Sequence, residues 1–162
     1  MRIRTAEIGD AESIAAIYNV EVAESTATFD LEPRSLARQR EWLQQRSGAH
    51  VVLVAEDSDG TIAGFASLSP YKDRPAYSTT VESSVYVHRD ARGRGVAKQL
   101  MFELLDIARS HGFHAVIARI SGSQEASLVL HERVGFERVG IEREVGRKFG
   151  RWLDVVTMQV ML

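Results

Sequence analysis

The sequence predicts a single mixed α/β domain over residues 1–162, and three observations predict it. At roughly 100–200 residues per domain, a chain of 162 residues holds one compact unit rather than two. Segments of helical and strand periodicity follow one another in the order αα-ββ-β-α-β-α-ββ. No repeat, low-complexity tract or boundary-like linker divides them.

Asp10 is placed to cap a first helix, whose Ile14, Ile17 and Tyr18 share a face at i, i+3, i+4 spacing. Pro33 suits the first turn of a second helix, with Leu36 and Leu43 facing inward. Between them, Ser25 to Asp30 is polar around one large aromatic, Phe29. His50 to Glu56 and Thr61 to Leu68 read as a hairpin, because Asp57-Ser58-Asp59-Gly60 supplies turn chemistry. After the loop Pro70 to Pro75, a strand from Ser78 to His88 alternates Val81, Ser83, Val85 and Val87 with Glu82, Ser84, Tyr86 and His88. The two sets must face opposite sides. Gly95 to Ser110 is a periodic helix with Val96, Leu100, Leu104 and Ile107 in line, ended by Gly112 as a left-handed cap. Ala115 to Ala118 is a buried strand, and strands 78–88 and 114–120 around that helix predict a right-handed βαβ crossover. A helix over Gln124 to Val134, closed by Gly135, and two strands between Glu137 and Val160 complete the order.

Composition narrows the function classes. With 44% hydrophobic and 26% charged residues, and no apolar run near the ~20 residues of a membrane span, the chain falls in the soluble globular range. Lys+Arg 20 against Asp+Glu 22 leaves a formal charge of -2, so no global basic field collects nucleic acid or acidic lipid. The absence of cysteine excludes disulfides, thiolate metal ligands and a Cys nucleophile. His111 and His114 flank Gly112 without the spacing or carboxylate company of a zinc site, so no metal is expected. Met1 to Glu7 lacks the apolar stretch of a signal peptide, and a cytoplasmic location is expected.

The most informative stretch runs from Val85 to Leu100: a strand, a basic glycine-rich turn and a helix start. Gly93 and Gly95 let the backbone approach a ligand, and the free amides of the helix's first turn point at an anion there. Arg92, Arg94 and Lys98 add positive charge, which makes the turn a diphosphate cradle. A dinucleotide fingerprint needs a small residue where Lys98 stands and an acid where Ile120 and Ser121 stand. A P-loop needs wider glycine spacing and a Ser or Thr after the lysine. Both fail.

Arg92-Gly93-Arg94-Gly95-Val96-Ala97 resembles the Gln/Arg-x-x-Gly-x-Gly/Ala signature of the GNAT family of N-acetyltransferases. Thr80 to Val87, Ala126 to Phe136 and Lys148 to Val155 are similar to its phosphinothricin and methionine sulfoximine acetyltransferase branch, so the resemblance spans nearly the whole chain. It implies the GNAT acyl-CoA N-acyltransferase fold, acetyl-CoA as donor, the α-amino group of a small amino acid or analogue as acceptor, and a homodimer. Residues 92–98 would hold the pyrophosphate, and the backbone of Val85, Tyr86 and Val87 would receive the pantetheine arm like an added strand. Gln124 and Ser127 are implied on the coenzyme side, although the branch commonly has Asn where Gln124 stands.

Glu82 is the candidate base: a carboxylate mid-strand, just before the cradle, whose partial burial would raise its pKa. The resemblance gives it the same role; the structural alternative is an exposed Glu paired across strands. His131 stands where many such enzymes place a thiolate-protonating Tyr, and is otherwise a packing histidine. Lys72 and Arg74 are candidate cations for an acceptor carboxylate, Phe29 a candidate apolar wall of the same pocket, and Trp152 core or dimer interface. Two further readings stay open: acetylation of a peptide or protein N-terminus, and a CoA-binding sensor without turnover.

Overall fold

Hydrophobic residues on two faces of one sheet set the architecture of the chain. The computed structural model describes residues 1–46, 48–122 and 124–162. Among them the strands are β1 (Arg2–Thr5), β2 (Val52–Glu56), β3 (Ile62–Pro70), β4 (Thr80–Val87), β5 (Ala115–Ser121), β6 (Glu137–Lys148) and β7 (Arg151–Met161). The helices are α1 (Ala11–Glu24), α2 (Leu36–Gln44), α3 (Val96–Ser110) and α4 (Glu125–Arg133). The sheet order is β1-β2-β3-β4-β5-β7-β6, antiparallel throughout except where β4 and β5 run parallel on either side of α3.

Strand alternation divides the core in two. Leu53, Ala66, Val81, Val116, Ala118 and Ile120 pack under α3 and α4, against Val96, Leu100, Leu104 and Leu128. Val52, Val54, Phe65 and Tyr86 take the other face, against Ile14, Ile17, Tyr18 and Leu43 of α1 and α2. Along β4 the odd-numbered residues face α3 and the even-numbered ones face α1, as the alternation requires. Gly64 permits the close fit of β3 on β4: a Cβ there would come within 2.8 Å of the Tyr86 carbonyl oxygen.

Several expectations are corrected. The opening residues form β1, an edge strand too short to show periodicity, paired with β2. Asp10 does not cap α1 with its carboxylate. That group is held by Arg4 at 2.7 and 2.9 Å and by the Glu7 amide at 2.7 Å. The second helix starts at Leu36, beyond Pro33, because the Ser35 hydroxyl accepts from the Arg38 amide at 3.2 Å. Leu36 is exposed, and the inward stripe of α2 is Gln39 with Leu43 at i, i+4.

Gln39 is fully buried, and neither amide atom has a hydrogen-bond partner among the described residues. An unpaired buried polar group costs about 1–3 kcal/mol. Gln39→Leu, which keeps the volume and removes the amide, is therefore expected to raise the thermal unfolding midpoint by a few degrees. A melt of wild type and variant checks this; an unchanged or lowered midpoint refutes it.

Candidate active site

β4 hydrogen-bonds to β3 as far as the pair Val87 and Gly64, but its pairing with β5 stops at Ser83 and Ala118. Beyond that point β5 keeps its pairing with β7 through Ser121, so the two parallel strands part. The His88 amide donates to Ala63 at 2.9 Å, and by alternation the N–H and C=O groups of Val85 and Val87 turn to the open side. Exposed strand backbone of this kind accepts an extended ligand as it would another strand. A cavity of about 770 Å³ lies along it.

The cradle closes one end. Gly93 and Gly95 adopt φ of 77° and 78°, a left-handed conformation that disfavours any side chain. The first ladder bond of α3 runs from the Gln99 amide to Gly95 at 3.1 Å, so the amides of Val96, Ala97 and Lys98 precede the ladder and are free for an anion. The predicted cations divide. Arg92 lines the cavity, but donates at 2.8 Å to Glu21. Arg94 is turned away to the β2–β3 hairpin, where Asp57 holds it at 2.8 and 3.0 Å, and it does not line the cavity. Lys98 is exposed at the rim with its Nζ 5.6 Å from the Phe102 ring.

Glu21 is a buried carboxylate in this wall, bound also by Arg89 at 3.1 Å. Burial opposes its charge, but the Ser25 hydroxyl and the two guanidinium groups outweigh that and hold its pKa below the usual carboxylate value. Arg89 pairs in addition with Glu24. This network ties the end of α1 to the cradle, and no local spacing announces it, since its partners are 68 and 71 residues apart.

Glu82 lies half-buried where β4 and β5 begin to part, on the α1 side of the sheet. Burial raises its carboxyl pKa, and the positive charge of Arg119 offsets part of the rise. Phe29 faces the same chamber. Its ring covers Gly146 of β6 so closely that a Cβ there would overlap it. Lys148, also buried, donates to the Thr28 carbonyl at 2.9 Å and the Glu21 carbonyl at 3.5 Å, clamping the Phe29 loop to β6. Tyr18 holds the loop from below, donating to Asp30 at 2.5 Å and accepting from the Thr28 hydroxyl at 2.7 Å.

A strand edge left open beside a helix N-terminus fits one ligand class, an extended arm ending in a diphosphate. A family model described as an acetyltransferase (GNAT) domain matches residues 3–157. The chain belongs to the GNAT family. It is 41% identical to the L-methionine sulfoximine/L-methionine sulfone acetyltransferase of Pseudomonas paraeruginosa, over 99% of this chain and 94% of that one. Its fold matches the ribosomal-protein-alanine N-acetyltransferase from Brucella melitensis with a TM-score of 0.97 at 38% identity, covering 100% of both chains. It also matches a GNAT phosphinothricin acetyltransferase from Sinorhizobium meliloti in complex with acetyl-CoA, with a TM-score of 0.96 at 36% identity over 99% of this chain and 88% of that one. This GNAT protein is an N-acetyltransferase, and acetyl-CoA is its acyl donor.

The cavity of this GNAT chain gathers most of the residues singled out in the sequence. Phe29, Glu82, Val85, Tyr86, Val87, Arg92, Gly93, Gly95, Val96, Ala97, Lys98, Gln124, Ser127 and His131 line it. Lys72 and Arg74 do not. They sit exposed on the loop before β4, and the Lys72 ammonium lies 5.0 and 5.3 Å from the Tyr71 and Tyr77 rings. Gln124 spends its amide N–H on the Thr26 hydroxyl at 3.2 Å. His131 is buried, edge-on to Phe136, with Nδ1 2.7 Å from the Ser127 carbonyl. A carbonyl only accepts, so Nδ1 carries the proton and a neutral ring leaves Nε2 as an acceptor. Burial, only partly countered by that bond, lowers the His131 pKa and favours the neutral ring.

Gly146, Lys148, Glu21, Arg89 and Arg119 were not singled out in the sequence; only the glycine and the lysine carry even a weak signal there, as residues unusual within a strand and a core. Gly146→Val is expected to push Phe29 off its seat and lower kcat/KM for the acceptor about tenfold or more, with the KM for acetyl-CoA unchanged. Steady-state kinetics in both substrates checks this; an equal loss for both substrates, or none, counts against Phe29 as the chamber wall.

Proposed function

We infer that this N-acetyltransferase acetylates the α-amino group of a small amino acid or analogue, of the methionine sulfoximine, methionine sulfone or phosphinothricin kind, by direct attack in a ternary complex. The observation that carries the reading is the place of Glu82, half-buried in a chamber walled by Phe29 and next to the open edge of β4. The amides at 93–98 hold the coenzyme's diphosphate, and the Val85 and Val87 edge receives its pantetheine arm. Acetyl-CoA supplies the activated acetyl group.

An ammonium nitrogen has no lone pair to offer, so the acceptor must first lose a proton. Glu82, directly or through a water, takes it. A carboxylate whose pKa is raised by burial is a better base for the task than a solvated one. The amine then forms the N–C bond, an amide N–H of the open β4 edge stabilises the carbonyl oxygen, and the C–S bond breaks. The nitrogen sheds its second proton to water as it becomes an amide, and the departing thiolate takes a proton from the same water, because a neutral His131 with its Nδ1 proton committed to Ser127 has none to give at Nε2. A homodimer belongs to this reading. The edge strand β6 leaves Val139, Ile141 and Val145 exposed, as β7 leaves Trp152, and apolar side chains on a sheet edge favour its cover by a second copy.

Glu82→Gln is expected to lower kcat about 10²–10⁴-fold while leaving CoA affinity unchanged by calorimetry. For the wild type, activity requires the ionised carboxylate. Since its pKa is raised, kcat/KM falls on acidification at a pH above that of an ordinary Glu, and rises again as pH increases through it. The deciding measurement is release of free thiol from acetyl-CoA against a panel of amino acids, their analogues and peptide N-termini. Coenzyme binding without turnover on any amine would favour the sensor, and turnover on peptides alone would favour the N-terminal enzyme.

A further inference from the structure

Of the cations lining the cavity, Arg89, Arg92 and Lys98 belong to the cradle, and Arg133 lies at the end of α4 on the far side of the sheet. Arg119 is different. The α3-facing residues of β5 are Val116, Ala118 and Ile120, so by alternation Arg119 faces α1, as Glu82 does. In the parallel register Glu82 stands opposite Ile117, which puts Arg119 one diagonal step from Glu82, at the point where the strands part. Its field is felt there, because it works against the burial that raises the Glu82 carboxyl.

The guanidinium of Arg119 already holds a carboxylate. Glu142 of β6 pairs with it through Nη2. Glu142 reaches it across β7, where Val155 is the register partner of both Ser121 and Glu142. Arg119 lines the cavity, and because it and Glu142 are each about half-exposed, at 43% and 49%, their pair costs little to open. In any α-amino acid the carboxylate is two bonds from the amine. A base that serves the amine therefore needs a carboxylate receptor close to it, and a guanidinium fork is the group best matched to one.

We propose that Arg119 is the acceptor-specificity residue of this enzyme: it receives the carboxylate of the incoming amino acid, with Glu142 holding the guanidinium in place until that carboxylate displaces or joins it. This rests on the amino-acid reading above, and it puts a carboxylate receptor on the wall of the chamber itself. No covalent step is added. Arg119 selects acceptors that carry a negative charge next to the amine and disfavours those in which that charge is capped.

The test compares L-methionine sulfone with its carboxamide, using acetyl-CoA as donor. Wild type is expected to prefer the acid by about tenfold or more, the worth of one charge-assisted contact. Arg119→Gln should raise KM for the acid by about that factor, leave KM for acetyl-CoA unchanged and so erase the acid-over-amide ratio in kcat/KM at any one pH, since the loss of its charge beside Glu82 falls on acid and amide alike; Arg119→Lys should restore part of the ratio. Glu142→Gln, which removes the internal competitor, should lower KM for the acid. An unchanged acid KM in Arg119→Gln, or an equal loss on acid and amide, overturns the proposal. The wild-type ratio needs no variant, so equal use of acid and amide by wild type overturns it as well while the amino-acid reading stands. A wild type that acetylates no amino acid refutes that reading, and this inference with it.

Discussion

Beyond Ser83, strand β4 has a partner on one side only, and the organisation of the site depends on that. Buried strand backbone is obliged to hydrogen-bond, and a sheet interior normally satisfies it from both sides. Here β5 stays with β7 while β4 stays with β3, and the divergence leaves a row of directional donors and acceptors facing a cavity. The same opening gives passage between the two faces of the sheet. The free amides at the mouth of α3 open on one side of the sheet, and Glu82 and Arg119 face α1 across the parting strands. A single departure from regular pairing thus supplies the open strand edge, the route to the chamber and the partial burial that raises the Glu82 carboxyl.

The chamber itself is built by long-range clamps on a short polar loop. Residues 25–30 have little apolar surface of their own to bury, apart from Phe29. They are held by Lys148, which joins the Thr28 carbonyl to that of Glu21 in α1, by Tyr18 on Thr28 and Asp30, and by Ser121, whose hydroxyl donates to the Thr26 carbonyl at 2.5 Å. Gly122 adjoins that last bond, and a Cβ there would come within 2.5 Å of the Thr26 hydroxyl. Electrostatics at the cradle follow a similar economy. Arg92 and Arg89 are anchored by Glu21 and Arg94 by Asp57, which leaves the orphan amides of α3 and Lys98, rather than three free cations, to face an anion.

The sequence foretold β3, β4 and α3 because their periodicities are local and strong, it placed two strands after Glu137 without their pairing, and it foretold the cradle because the helix start, its glycines and its basic residues are contiguous. It missed β1, whose four residues are too few to show a period, and it turned Leu36 inward where Gln39 is buried instead. Glu82 was legible as a charged residue in an apolar strand next to the cradle. Lys72 and Arg74 lie exposed on the loop before β4, outside the cavity of the single chain, because sequence proximity to β4 does not by itself bring a side chain into it.

What the chain alone determined is the set of elements, the face each strand residue takes and the turn that receives an anion, since periods of 2 and 3.6 residues and the left-handed freedom of glycine are properties of neighbours in sequence. What only the tertiary structure decided is where the sheet opens and which charges meet there. The strands part because β4 stays with β3 while β5 stays with β7, and Arg119 meets both Glu82 and Glu142 only because β5 lies between β4 and the β7–β6 pair. Those contacts join residues tens of positions apart, and no local pattern encodes a distance that the packing of the whole sheet sets.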